Sequence, residues 1–459
     1  MDYKKYLEMT KTNAYIELHK YYTQETILDV LGVARQENPH SAFLRWLFDI
    51  KGSHGLGDLP LRCLLETICL TKEDRYAQTN AWFVPETPNE AWNILSNNQK
   101  TYFDYIKYGR YEIIDASIAN ELVLEKQRRA DIFIAAKLRL YDEKGAGVDN
   151  EHYFIIVIEN KIHSLEHDNQ TIAYTKAIFN KSRAEKYISD CFSQEIKLNH
   201  FPLILPIYLN AWQKGVIEDA LNGNRKSEAL PSSQQFITIN YQDILDGVLE
   251  KSLSYCTIDI ASRRISEYIR CLGQATLTTD YSINADSDGR KSNQQHLIMA
   301  VTNREKELAK QLLQNDYKQI IQDIFRSFTE DENRLVNQKE YPFWISIANV
   351  YDYLLREQTD PSDKLDDELH EAVDCVLNST NGTQIYYLNF DGMLIGFGSS
   401  VGKRTEQTVG ELAYYLISQY IHDHKNETWQ SIRDKLYATD NKNCITNNWL
   451  CGCLMPSQM

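Results

Sequence analysis

The sequence contains no long apolar segment. Its longest strongly apolar run is Phe154–Ile158, far short of the roughly 18 residues that a membrane-spanning helix needs, which excludes an integral membrane protein. Residues Met1 to Tyr6 include no apolar stretch of the kind found in a secretory signal. We therefore expect a soluble cytoplasmic protein with no membrane partner.

The cysteines do not form a disulfide framework. There are nine of them, an odd number, and they are scattered along a large chain, which favours reduced thiols. The one tight group is Cys444, Cys451 and Cys453. A zinc site made by this group with His422 and His424 is a weak alternative, because no second paired motif accompanies the Cys-x-Cys spacing.

An excess of positive charge is also missing. The chain has 49 lysines and arginines against 64 acidic residues, a net charge of −15, which by itself disfavours a polyanionic partner. The negative net charge is only weak evidence against a nucleic-acid partner, since carboxylates that bind a divalent cation add negative charge of their own. With 43% hydrophobic and 25% charged residues the composition is that of a folded globular protein, and 459 residues suggest more than one domain.

Helical patterns come first along the chain and β-rich runs follow. Asn38 and Pro39 fit the N-cap and the first position of a helix through residues 41–48. Further helices are predicted over 15–34, 59–70 and 166–186, and strands over 118–124, 131–140, 153–158, 203–209 and 236–239. The polar, glycine-bearing segment 141–150 predicts a hairpin between the second and third strands. The fold class is therefore α/β, with a central mixed sheet of four to five strands flanked by helices.

The chain divides at a polar stretch. We place one domain at 1–275, a linker at 276–294 and an α+β region of unassigned role at 295–459. A helix predicted over 408–422 has an apolar face. Such a face is usually buried in its own domain, but it would also suit a protein partner, so docking through the C-terminal region is a further hypothesis.

The most informative segment is Ile158-Glu159-Asn160-Lys161. Side chains alternate along a strand, so Glu159 and Lys161 should point to one face and Asn160 to the other. Asp131 opens the preceding strand, and antiparallel pairing would bring it beside Glu159. Two carboxylates and an ammonium at a sheet edge suit phosphodiester hydrolysis, with Asp131 and Glu159 holding Mg²⁺ and Lys161 orienting water or offsetting negative charge.

In these residues the sequence resembles the PD-(D/E)XK nuclease superfamily, in particular its branch with an N-terminal Asn-x-His-Ser helix. The resemblance covers about the first 275 residues and is carried by ordered motifs: residues 37–47, 54–58, 129–133, 157–162 and 166–170. It implies a restriction-endonuclease-like core. Ala130 stands where the superfamily's name has proline, and Asn210-Ala211 stands where threonine-proline is expected. Neither departure removes an acid or the lysine.

The resemblance also implies roles for particular residues. The metal-binding acids of the family fall on Asp131 and Glu159, its lysine on Lys161 and its helical glutamine on Gln170. A further N-terminal acid of the superfamily maps onto Glu37 or, as the second candidate, Glu66. The implied cofactor is Mg²⁺, with Mn²⁺ as a substitute, and the implied partner is nucleic acid.

Each of these residues also has a structural interpretation. Glu159 and Lys161 alone would form an ordinary same-face ion pair, and only the ordered motifs favour catalysis. Gln170 would form a hydrogen bond within its helix, and Tyr174, one turn later, would pack in the core. Arg128 and Arg129 are explained equally well as solvated surface charges and as contacts with phosphate. Structural roles are favoured for His40 and His54.

The sequence predicts a Mg²⁺-dependent nuclease, with DNA as the expected substrate. The alternative, from another functional class, is a nucleic-acid-binding or scaffold protein that keeps the nuclease fold but does not cut. Intact carboxylates and lysine favour the enzyme, because a purely structural protein needs neither.

Overall fold

The computed structural model describes most of the first 380 residues and a short hairpin beyond them. The described residues are 2–34, 36–76, 103–125, 128–148, 151–162, 166, 169–212, 214–223, 229–274, 300–313, 317–329, 340–356, 367–380, 384–390 and 393–399. The predicted linker at 276–294, the predicted helix at 408–422 and the weak zinc alternative lie outside them. No helix of the described part is long and apolar enough to cross a membrane.

A five-stranded mixed sheet forms the centre of the first compact unit, in the order β1-β2-β3-β4-β5. The strands are β1 (Tyr111–Glu125), β2 (Arg128–Leu140), β3 (His152–Lys161), β4 (Leu203–Asn210) and β5 (Ile237–Asn240). The first three strands pair antiparallel, whereas β4 and β5 run parallel to β3. The predicted α/β class, with its mixed sheet flanked by helices, is confirmed.

The described residues also form α-helices. They are α1 (Tyr3–Met9), α2 (Asn13–Thr23), α3 (Ile27–Val30), α4 (Glu37–Phe48), α5 (Leu59–Tyr76), α6 (Gln170–Ile178), α7 (Lys181–Phe192), α8 (Lys214–Leu221), α9 (Tyr241–Ile244), α10 (Glu250–Tyr255), α11 (Asp259–Gly273), α12 (Asn303–Leu312), α13 (Lys318–Arg326), α14 (Tyr341–Arg356) and α15 (Asp367–Thr380). A π-helical turn, Leu245–Leu249, joins α9 to α10.

Two predicted helices are each divided in two. The helix predicted over 15–34 breaks at Thr26, whose side chain accepts from Asp29 N and forms a capping box that starts α3. The helix predicted over 166–186 becomes α6 and α7, because the Asn180 side chain caps a new helix start at Lys181. Both divisions occur at residues that are better helix caps than helix interiors.

The alternation of side chains along β3 builds two cores. Ile156 and Ile158 face a hydrophobic cluster that includes Leu44 of α4 and Leu64 of α5. Ile155 and Val157 face a second cluster that includes Tyr174 of α6. Because every residue of β3 is buried, the strand lies between two layers of helices.

The first compact unit continues beyond residue 300. It comprises residues 1–278, 296–327 and 332–373. Arg304 at the start of α12 pairs with Glu17 of α2 at 2.7 Å, and His19 pairs with Glu340 at 3.0 Å. The predicted division at 275 and 294 stays a prediction, and the second unit contains the antiparallel hairpin of β6 (Gln384–Phe390) and β7 (Met393–Ser399).

The buried Glu305 makes the stability of this packing dependent on pH. Burial raises the pKa of Glu305 to about 7 from its ordinary 4.5, although Thr302 and Tyr22 donate hydrogen bonds to its carboxylate. The folded protein therefore holds this proton more tightly than the unfolded chain, and the stabilisation from protonation is lost as pH rises through 7.

Glu305→Gln should remove this pH dependence. As pH rises, the native chain loses stability at Glu305 and the variant does not. The variant's unfolding free energy should therefore gain on that of the native chain by up to about 3 kcal/mol between about pH 4 and pH 8. Denaturant titration over this pH range measures the difference. Glu307→Gln, which changes an exposed acid on the same helix, is the matched control and should give a flat difference. A flat difference for both variants would contradict the assignment to Glu305.

Candidate active site

Two acids meet at the edge of the sheet because of the strand register. Ile132 of β2 is opposite Ile158 of β3 in the antiparallel pair, so the next pair outward is Asp131 and Glu159. Asn160 N donates to Asp131 Oδ2 at 2.7 Å, which fixes the first acid against the end of β3. The predicted proximity of the two carboxylates is confirmed.

Lys161 joins the acids from the same strand face. Its Nζ lies 2.6 Å from Glu159 Oε1, in an ion pair whose side chains are 10% and 0% exposed. Apart from this ion pair, neither Glu159 oxygen has a hydrogen-bond partner among the described residues, although both oxygens are buried. A buried carboxylate in this condition is costly, because little replaces its lost hydration.

The electrostatics of the group reflect this burial. Burial, together with the charge of Asp131, raises the pKa of Glu159 to about 8, against the opposing effect of Lys161. Burial also raises the pKa of Asp131 to about 6, even though Asn160 N and Lys161 favour its ionised form. Burial is the largest effect on the pKa of Lys161 and lowers it, but the charge and hydrogen bond of Glu159 together with the charges of Glu37 and Asp131 leave that pKa above its ordinary value.

Glu37, at the start of α4, is the third acid of the group. Its Oε1 accepts from Ile162 N at 3.1 Å, and its charge raises the pKa of both Asp131 and Glu159. Glu66 lies elsewhere: its side chain is 56% exposed and pairs with Lys251 at 3.0 Å. Of the two acids that the sequence offered, the structure brings Glu37 to the site.

Gln170 reaches the site through Tyr174. Gln170 Nε2 donates to the Tyr174 hydroxyl at 2.5 Å, and that hydroxyl donates to the backbone carbonyl of Arg129, two residues before Asp131. Tyr174 is fully buried, and this burial, followed by the nearby charge of Glu159, raises its pKa. The four-residue spacing of Gln170 and Tyr174 was the signal for this contact, but sequence reasoning favoured packing for Tyr174.

The residues around the acids are mostly structural. Arg129 pairs with Glu121 at 2.8 Å, with both side chains more than half exposed, and Arg128 makes a 3.4 Å contact with Asn169 O. His54 accepts from Leu56 N through Nδ1 and contacts Asp49 O through Nε2 at 2.9 Å. Because its Nδ1 is an acceptor, its Nε2 must carry the proton and donate. His54 is thus held as a neutral structural residue, and burial lowers its pKa.

Sequence reasoning did not identify the group of polar residues behind the acids. Asn160 is fully buried and donates through Nδ2 to Ser41 Oγ at 3.1 Å. His40 binds Tyr268 Oη through Nδ1 at 2.9 Å, and Tyr241 Oη donates to Asn160 Oδ1 at 2.9 Å. Ser41 belongs to the Asn-x-His-Ser motif and Asn160 to the Glu-Asn-Lys motif, so the co-occurrence of the two motifs was the available signal.

The acids present fit a hard divalent cation. No group of three or more His, Cys, Asp or Glu residues in the described ranges is arranged to hold a metal ion alone. Mg²⁺ needs no such group, since it commonly takes one or two carboxylates and completes its shell with water and phosphate oxygens. The buried oxygens of Glu159, with their single ion-pair partner, and the adjacent Asp131 are the groups that would hold it.

Comparison with known proteins agrees with this geometry. A family model described as PD-(D/E)XK nuclease superfamily matches residues 25–254, just over half of the chain. The matched range contains Glu37, Asp131, Glu159, Lys161 and Gln170. Searches of curated proteins and of solved structures gave no match. The match, over a mixed sheet with an acid-acid-lysine cluster at its edge, shows that the chain belongs to the PD-(D/E)XK nuclease superfamily.

Proposed function

We propose that this protein is a divalent-metal-dependent nuclease that hydrolyses phosphodiester bonds of DNA. The observation that carries the proposal is the buried Glu159 carboxylate, held beside Asp131 with Lys161 at 2.6 Å. Membership of a nuclease superfamily supports the reaction class. DNA as the substrate and Mg²⁺ as the cation, with Mn²⁺ able to replace it, belong to the proposal.

Each residue of the cluster has a chemical task in this proposal. Asp131 and Glu159 would hold the cation, which when bound supplies Lewis-acid polarisation of a phosphate oxygen and lowers the pKa of water. Lys161 is the positive charge next to the reacting group, where it orients the attacking water and offsets negative charge that develops on phosphate. Glu37 adds a third carboxylate to the cluster, anchored by Ile162 N.

Asp131 also has a defined orientation. Asn160 N donates to Oδ2 at 2.7 Å, which fixes this carboxylate against the end of β3. The Tyr174 hydroxyl fixes the backbone just before Asp131. This preorganisation matters because catalytic groups that are already placed cost no reorganisation during the reaction.

A substrate panel tests the proposal directly. The full chain should cleave DNA in the presence of Mg²⁺ or Mn²⁺ and should be inactive in EDTA, since its acids alone supply no Lewis acid. The panel contains duplex, single-stranded and branched DNA and RNA, and product length is read on denaturing gels. Cleavage of RNA alone would revise the substrate, and cleavage that persists in EDTA would overturn the mechanism.

The competing function is a nucleic-acid-binding protein that keeps this fold without cutting. Isothermal titration with Mn²⁺ separates the two, because a protein that only binds nucleic acid has no need of a metal. The burial of two carboxylates and a lysine at one point favours the nuclease. Binding of DNA without either Mn²⁺ binding or cleavage would support the non-cleaving protein.

A further inference from the structure

We propose that Asn160 is a positioning residue, which ties the N-terminal helix α4 to the end of β3 and so sets the spacing of Glu37, Asp131 and Glu159. The inference rests on the proposed nuclease function and deepens it. It assigns a task to the residue between the glutamate and the lysine, whose side chain points away from the chemistry.

The contacts of Asn160 reach two elements that carry acids. Its backbone N–H donates to Asp131 Oδ2 at 2.7 Å. Its side-chain Nδ2 donates to the backbone carbonyl of Glu37 at 3.3 Å and to Ser41 Oγ at 3.1 Å. Because Glu159 is its chain neighbour, Asn160 is in direct contact with or bonded to every acid-bearing residue of the cluster.

The amide is suited to this place. Nδ2 offers two hydrogens, which meet the two α4 acceptors, and Oδ1 accepts from Tyr241 Oη at 2.9 Å. An aspartate at this position would turn the contact with the Glu37 carbonyl into a repulsion between oxygens, would leave Ser41 to act as the donor, and would add a buried negative charge beside three acids. The side chain is fully buried, so water cannot replace these hydrogen bonds.

A second layer holds α4 against rotation. His40 binds Tyr268 of α11 through Nδ1 and the backbone carbonyl of Ala34 through Nε2, at 2.9 and 2.8 Å. Ser41 therefore presents its hydroxyl to Asn160 from a helix that is fixed on its other side. Loss of the Ser41 to Asn160 hydrogen bond should shift the first turn of α4, where Glu37 lies, without removing any acid.

A matched pair of Ser41 variants tests this positioning. Threonine and valine have nearly the same shape, but only threonine keeps the hydroxyl acceptor. Compared with Ser41→Thr, Ser41→Val should lower kcat about 10- to 100-fold with KM unchanged, and should weaken Mn²⁺ binding about tenfold, the loss typical of a group that orients a metal ligand. The probes are a DNA substrate from the panel and Mn²⁺ itself in calorimetry.

The outcomes separate this inference from the nuclease assignment. Equal kcat and equal Mn²⁺ affinity in the two Ser41 variants would overturn the positioning role, provided that Glu159→Gln is inactive. Full activity of Glu159→Gln would overturn the nuclease site itself, and a native chain that neither cleaves nor binds Mn²⁺ would overturn both. Asn160→Leu, which keeps the approximate shape of the side chain and adds no charge but removes its hydrogen bonds, is the second variant: it should lose Mn²⁺ affinity, and retention of native affinity would count against the role of the amide.

Discussion

Replacing Glu159 by glutamine should lower the rate of metal-dependent cleavage by about 10³-fold or more, which corresponds to about 4 kcal/mol of lost transition-state stabilisation. The side chain keeps its size, so packing at the end of β3 is preserved. What is lost is the negative charge that would hold the cation. Mn²⁺ affinity, measured by calorimetry, should fall together with the rate.

The same substitution should not weaken the metal-free protein. Glu159 is a buried acid whose pKa is raised to about 8, so its ionisation destabilises the fold as pH rises from the ordinary value toward 8. A neutral amide avoids this cost, and the melting temperature of Glu159→Gln in EDTA at about pH 8 should equal or exceed that of the native chain. An inactive variant that also melts much earlier would point to misfolding instead of loss of a ligand.

Glu66→Gln is the matched control for this experiment. Glu66 was the other candidate for an N-terminal acid, but its side chain is 56% exposed and pairs with Lys251. An exposed ion pair contributes little, typically below about 1 kcal/mol. This variant should therefore cleave and bind Mn²⁺ like the native chain. A large loss of cleavage rate or Mn²⁺ affinity would show that Glu66 belongs to the site.

Lys161→Gln should separate catalysis from metal binding. Lys161 lies 2.6 Å from Glu159 Oε1, so it competes electrostatically with any cation held by the acids. Its removal should leave Mn²⁺ affinity equal or higher, yet it should lower the cleavage rate about 10²- to 10³-fold, because the positive charge beside the phosphate is gone.

Glu159→Gln and Lys161→Gln should therefore differ in calorimetry, where only the first lowers Mn²⁺ affinity. On gels they should agree, because both slow cleavage. A Lys161 variant that loses Mn²⁺ affinity as well would show that the lysine mainly organises the acids. A Lys161 variant with native cleavage rate would contradict its catalytic role. Lys197→Gln, in a pair of exposed residues with Glu195 at 3.8 Å, removes a lysine that follows a glutamate at the same spacing and is the control.

The sequence was sufficient to predict the sheet and the placement of Asp131, Glu159 and Lys161 at its edge, because both follow from local patterns. A run that is apolar on both faces predicts the buried β3, and alternation then decides that Glu159 and Lys161 share a face. The position of Asp131 follows once the polar segment 141–150 is interpreted as a hairpin. These inferences need only neighbouring residues and pairing rules.

Other features depend on contacts between distant residues. Whether Glu37 or Glu66 reaches the site depends on how α4 and α5 pack on the sheet, which no local pattern decides. The hydrogen bond between Ser41 and Asn160 joins residues 119 positions apart. The breaks at Thr26 and Asn180 were missed for another reason: an apolar periodicity continued through them, while the capping hydrogen bonds of single side chains ended the helices.

The separation of these residues along the chain has a consequence for biosynthesis. Asp131 and Glu159 meet through a hairpin, a local pairing that forms early, whereas Glu37 joins only when α4 docks through Ser41 and Asn160. A nascent chain that ends before residue 159 contains neither Glu159 nor Lys161. The proposed site is therefore complete only when synthesis has passed the end of β3 and the first helices have folded back onto it, and a nascent chain that ends before β3 lacks it.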